Sequence, residues 1–186
     1  MSTTPRPRSA PAHLVVMGVS GCGKSTVGML LADRTGALFI DADDLHPDTN
    51  VAKMRAGAPL DDTDRAPWLA EVLDTMSAIA EAGGTTVMAC SALRRSYRDV
   101  LAAATGGVRF VHLDVDAAVL ADRVAARADH FMPASLVASQ LATLEPLGED
   151  EDGVVVPVAG DPGAVVDAAL AALSASRPGS AGRARG

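Results

Sequence analysis

The chain has 186 residues, enough for one domain, and 48% of them are hydrophobic while only 3% are aromatic. A core must therefore be built from Ala, Val and Leu, with no aromatic platform on which single-stranded nucleic acid could stack. A formal charge of −7 argues against a broad basic face of the kind that grips nucleic acid.

Residues 1–12 carry two arginines and no apolar segment, and read as a disordered tail rather than a signal peptide or membrane anchor. The apolar run 13–17 reads as a buried strand. A glycine-rich turn follows, then a helix over 24–35 with Val27, Leu30 and Leu31 at helical spacing and Gly36 as its stop. A second strand over 37–40 ends in Asp41, Ala42, Asp43 and Asp44, and residues 45–63 show no strong periodicity. The next helix has N-cap candidates at 61–64 and carries Trp68, Val72, Met76 and Ile79 on one stripe. Strands over 85–90, 110–113 and 154–156 alternate with helices over 94–104, about 116–127, 135–144 and 162–173, and residues 128–133 break the pattern. The acidic run 149–152 reads as a solvated loop, and 177–186 as a disordered tail. Short apolar strands alternating with helices predict one α/β domain over 13–176, a parallel sheet covered on both faces. Cys22 and Cys90 lack metal-ligand spacing, and no apolar run approaches a membrane span. A reduced, cytoplasmic setting is expected.

Gly18 to Ser25 spells G-x-x-x-x-G-K-S between a strand and a helix, the context a phosphate-binding loop requires. Glycines let the backbone close around phosphate oxygens, and N–H groups with the helix N-terminus supply the donors. Gly18, Val19, Ser20, Gly21, Cys22, Gly23, Lys24, Ser25 and Thr26 are thus candidate ATP-binding residues. Lys24 would reach the β- and γ-phosphates and Ser25 would hold Mg²⁺. The guanine-reading N-K-x-D motif is missing, since Asn50, the one asparagine, is followed by Val51.

Phosphoryl transfer to a hydroxyl needs a carboxylate to take or orient its proton, and others around the metal. Asp41 and Asp43, at i and i+2, share a face if the chain is still extended there. Asp43 is assigned to the acceptor hydroxyl and Asp41 to the outer shell of Mg²⁺; the alternative is that they cap a turn. Arg94 and Arg98, and likewise Arg123 and Arg127, stand at i, i+4 with no acid three or four residues away. Like charges so spaced destabilise a helix by a few tenths of a kcal/mol, so bound anions are the expected partners, with solvated surface as the alternative. The break after Arg127 would place that pair on a lid around 123–135. His46 and His130 are further acceptor candidates, and the segment near Asp161 and Pro162 is the candidate for adenine.

Gly18–Ser25, Asp41–Pro47, Asn50, Lys53-Met54, Pro59-Leu60, Asp64–Trp68, Cys90–Asp99, His130–Pro133, Ser139-Gln140 and Thr143–Pro146 together resemble the bacterial gluconokinases. The likeness runs from about residue 13 to 173. It implies a fold like the nucleoside monophosphate kinases and shikimate kinase, a five-stranded parallel sheet with a helical lid. It also implies ATP-dependent phosphorylation of D-gluconate at its terminal hydroxyl, giving 6-phosphogluconate, by a homodimer. On that resemblance Lys24, Asp43 and Arg127 are catalytic, and Arg123 and Arg127 contact the nucleotide. Arg65 and Arg98 take the gluconate carboxylate, the alternative for Arg65 being to pair with Asp61, Asp62 or Asp64 and stiffen its loop, while Arg94, His46 and His130 complete the acceptor site. No nucleic-acid or membrane partner is expected. Two alternatives stand beside it. A shikimate kinase-like enzyme normally shows a glycine triplet where this chain has Cys90-Ser91-Ala92. A nucleotide-binding regulator without transfer chemistry would not need Lys24, Ser25, Asp41 and Asp43 complete.

Overall fold

The computed structural model describes residues 11–120 and 134–176, and the side chains of all these except 134–137. Arg123, Arg127, His130 and the lid expected around 123–135, but for its last two positions, lie outside the described residues, as do both tails beyond 11 and 176.

Five parallel strands, β1 (His13–Met17), β2 (Leu38–Asp41), β3 (Thr86–Ala89), β4 (Val108–Asp114) and β5 (Gly153–Pro157), form one sheet in the order β2-β3-β1-β4-β5. Side chains alternate across a strand, and β1 shows what that does. Val16 points to the face covered by α1 (Lys24–Thr35), meeting Val27, Leu31, Val166 and Ala169. Val15 and Met17 point to the other face, meeting Trp68, Val72 and Met76 of α3 (Asp62–Glu81) and Leu101 of α4 (Arg95–Ala102). Helices on both faces explain why the central strands read as unbroken apolar runs. Leu31, Met76 and Leu101 are each fully buried, worth roughly 1.5–3 kcal/mol apiece. No helix among the described residues is long and apolar enough to cross a membrane.

Three segments differ from the expectation. Residues 45–63 hold the end of a 3₁₀ turn, Ala42–Leu45, and a short helix, α2 (Asp48–Arg55). The buried residue of α2 is Asn50, whose Nδ2 donates to the Asp64 carbonyl at 2.8 Å. A helix held by a polar anchor leaves no apolar period to read. β4 starts before its apolar run because Arg109 is buried within it, donating to Asp152 and to the Leu173 carbonyl, both at 2.7 Å. The acidic run is an exposed turn, as expected, except at Glu151, whose side chain is buried, and three of its carboxylates are paired. Asp150 takes a two-pronged bond from Arg95, Glu151 one from Arg98, and Asp152 the bond from Arg109.

The turns following all five strands open on one edge of the sheet. The chain leaves β1 toward β2 on one side and reaches β4 and β5 on the other, and at such a reversal open α/β sheets bind ligands.

Candidate active site

The loop 18–23 joins β1 to α1. Gly18 has φ 141°, and a Cβ there would lie 2.9 Å from Cys22 Sγ and 3.1 Å from the Leu113 carbonyl oxygen. Only glycine fits such a position. Gly23 precedes α1 in the left-handed region, and the first turn of α1 carries neither a side-chain cap nor an acid. Its N–H groups and positive dipole end face the loop. Lys24 Nζ donates across the loop to the Val19 carbonyl at 3.1 Å, which places the ammonium over the cradle. Thr26 is exposed beside it.

Ser25 Oγ donates to Asp41 Oδ2 at 2.7 Å, so the motif hydroxyl and the last residue of β2 form one hard-oxygen pair. Among the described residues no group of three His, Cys, Asp or Glu could hold a metal by itself. The pair suits Mg²⁺, which keeps water and phosphate oxygens as most of its shell.

Asp41 and Asp43 do not share a strand face. Asp41 ends β2 and caps the 3₁₀ turn, its Oδ1 accepting the Asp43 N–H at 3.2 Å. Asp43 is open to solvent but walled by protein, so desolvation raises its pKa. The Asp41 charge raises it further and Lys24 partly opposes. The result is a carboxylate more basic than usual beside the motif lysine, suited to accepting a proton.

The acceptor wall continues from this turn. Trp68 Nε1 donates to the Ala42 carbonyl at 2.7 Å, and His46 stacks on the indole with ring centroids 4.3 Å apart. Asn50 Nδ2 gives one hydrogen to the Asp64 carbonyl and the other, at 3.3 Å, to His46 Nδ1. His46 therefore carries its proton on Nε2. Burial and the nearby Arg65 charge lower its pKa, which favours the neutral ring. Beyond it, Arg65 and Arg94 flank Tyr97, each guanidinium 5.8 Å from the ring centroid. Arg94 donates to both Asp62 oxygens, at 2.9 and 3.2 Å, and Tyr97 Oη donates to Asp62 Oδ1 at 2.6 Å. Arg65 Nη1 stands 3.4 Å from Tyr97 Oη and 3.8 Å from Asp62. Two guanidinium charges thus share one carboxylate. Tyr97 was not legible as a site residue, since it reads as an ordinary helix position; Asp62 is one of the three acids open to Arg65 as partners, and the structure brings it within 3.8 Å.

Arg98 corrects the sequence reading. Its side chain is 0% exposed, paired with Glu151 at 2.6 Å through Nε and at 2.9 Å through Nη2. Nη1 donates to the Ala92, Leu93 and Glu145 carbonyls and Nη2 to that of Pro146. It has no donor left for a carboxylate ligand. The same contacts overturn the premise that Arg94 and Arg98 lack acidic partners, because those partners are distant in sequence. Arg94 is the extended N-cap of α4, so the two do not stand on one helical face.

A cavity of about 630 Å³ opens at the ends of β4 and β5, lined by Asp114, Asp116, Val119 and 157–160. It adjoins the segment expected to meet adenine. Asp161 itself caps the helix that follows, α6 (Pro162–Ala175), accepting the Ala164 N–H.

A family model described as an AAA domain matches residues 14–147. A gluconokinase of Gluconobacter oxydans is 52% identical over 151 residues, covering 81% of this chain and 84% of the relative. The crystal structure of a gluconokinase from Sinorhizobium meliloti matches with TM-score 0.79 and 46% identity, over 89% of this chain and 93% of the other. Shikimate kinase from Aquifex aeolicus, 18% identical, shares the fold at TM-score 0.56 over 88% of this chain and 96% of its own.

Proposed function

The chain belongs to the gluconokinase family of P-loop kinases and phosphorylates gluconate, and from that premise we propose how its residues perform the transfer. The donor is ATP, its triphosphate lying along 18–26 and its base entering the cavity bounded by Asp114, Asp116 and 157–160. Lys24 swings from the Val19 carbonyl to the β- and γ-phosphates. Ser25, oriented by Asp41, would hold Mg²⁺, which would supply charge to offset that of the phosphates.

Gluconate has a carboxylate at one end and the reacting hydroxyl at the other. Arg65 and Arg94, braced on Tyr97, take the carboxylate; a planar fork matches it in a way that a lysine would not. His46 Nε2–H donates to a hydroxyl between the two ends. Asp43 accepts the proton of the terminal hydroxyl as its oxygen bonds to the γ-phosphorus and the bond to the β-phosphate oxygen breaks, releasing ADP. The charge is spread over phosphate oxygens in the transition state, so catalysis rests on positioning and electrostatics.

The observation that supports this reading most is the succession of side chains from Asp43 to Arg94. The turn holding Asp43, then Trp68, His46, Arg65 and Tyr97 form one wall that ends in two cations with a single carboxylate between them. A coupled ADP-release assay with Mg²⁺-ATP, comparing gluconate, shikimate and AMP, tests it. Release with gluconate alone, with 6-phosphogluconate identified by mass, is expected. A folded, nucleotide-binding sample without gluconate-dependent release would reject it.

A further inference from the structure

Residues 140–145 join the two halves of the site through single side chains. Gln140, near the end of α5 (Ala134–Thr143), accepts the Ser20 N–H of the phosphate loop at 2.6 Å through Oε1. A turn later, Glu145 Oε2 accepts the Arg95 N–H at 2.5 Å, on the first turn of α4, which presents Arg94 and Tyr97. The stretch between is fixed. Leu144 packs against both apolar cores, the Glu145 N–H bonds the Leu93 carbonyl at 2.8 Å, and Arg98 grips the Glu145 and Pro146 carbonyls at 3.1 and 3.2 Å.

We infer that this stretch is a strut holding the phosphate loop at a set distance from the acceptor arginines, with Gln140 and Glu145 as its positioning residues. The residue types at its two ends fit that role. A carboxylate is favoured at the N-terminus of α4, whereas beside the triphosphate cradle a neutral amide accepts the loop N–H without repelling phosphate. Small misplacements of reacting groups are costly in rate, because attack needs contact distance and alignment.

The inference rests on the reaction proposed above. Steady-state kinetics with gluconate and Mg²⁺-ATP varied separately, alongside thermal midpoints, test it. Gln140→Met and Glu145→Met each remove one acceptor at constant length. Each is expected to lower kcat about tenfold, with both KM values within about twofold of the parent. Glu145→Gln, which keeps an acceptor oxygen, should restore the parent kcat. Because the two contacts act in series, the double Met variant should be no slower than the slower single one. Unchanged kcat in both Met variants, losses that multiply in the double variant, or losses that follow the thermal midpoint alone would overturn the strut. Absence of gluconate-dependent turnover in the parent chain would overturn the reaction and the strut with it.

Discussion

Glu151→Ala separates a framework role for Arg98 from a substrate-binding one. The substitution leaves a fully buried guanidinium without its carboxylate and removes three charge-assisted hydrogen bonds, two from Arg98 at 2.6 and 2.9 Å and one from the Gly148 N–H at 2.8 Å. Removing one partner of a buried pair costs about 3–5 kcal/mol. Four carbonyls still hold the guanidinium, so the lower end, about 3 kcal/mol, is expected. For a domain of this size each kcal/mol moves Tm by about 3 °C, so the midpoint should fall by roughly 10 °C. The pH dependence follows from the same pair. Hydrogen bonds from Arg98 hold the Glu151 carboxyl below its ordinary value. Its contribution is therefore complete above the ordinary carboxylate pKa of 4.5 and is lost as pH falls through the depressed folded value. The parent's advantage over Glu151→Ala should then be full at neutral pH and shrink only in acid below that point. Differential scanning fluorimetry from neutral to acidic pH, with KM for gluconate measured below the variant's midpoint, checks both. A midpoint within about 2 °C of the parent, together with a raised KM for gluconate, would refute the framework role and return Arg98 to the ligand.

Lys24→Met should lower kcat by about 10² to 10³, as removal of a charge-stabilising donor does, with the fold unchanged by circular dichroism; near-parent turnover would discard the phosphate-loop mechanism. Asp43→Asn should leave nucleotide binding by calorimetry intact while kcat drops by about 10² to 10⁴. In the parent, the acidic limb of kcat against pH should lie above the ordinary aspartate value of 3.8, because Asp43 must be ionised to accept a proton and its pKa is raised. Arg65→Lys and Arg94→Lys should each raise KM for gluconate about tenfold with KM for ATP unchanged, since a lysine lacks the two-pronged fork; an equal rise in both KM values would speak against a carboxylate site at Tyr97.

Much of the fold is local and so was legible. The apolar runs that form β1, β3 and β5, the stripe Trp68–Val72–Met76 and the G-x-x-x-x-G-K-S turn are each specified within a few residues, because side-chain period and backbone conformation are short-range properties. The Ser25–Asp41 meeting was also within reach, since Ser25 follows β1 and Asp41 ends β2, and the strands of a parallel sheet end on one side. What the sequence left undecided were the partners of its charges. Spacing along one helix made Arg98 look unpaired, yet its partner is Glu151, 53 residues on; the arginine at 94 looked like its companion and is an extended N-cap bonded to Asp62. The acidic run at 149–152 is solvent-facing as read, except at Glu151, but it also supplies three arginine clamps that no local pattern announces. Local pattern leaves Asp41 and Asp43 between a shared extended face and the capping of a turn, and the 3₁₀ turn that Asp41 caps realises the second. Hydrophobic periodicity reports which face a residue buries. A salt bridge or a cap is set by where distant segments of the folded chain come to lie, and that only the tertiary structure decides.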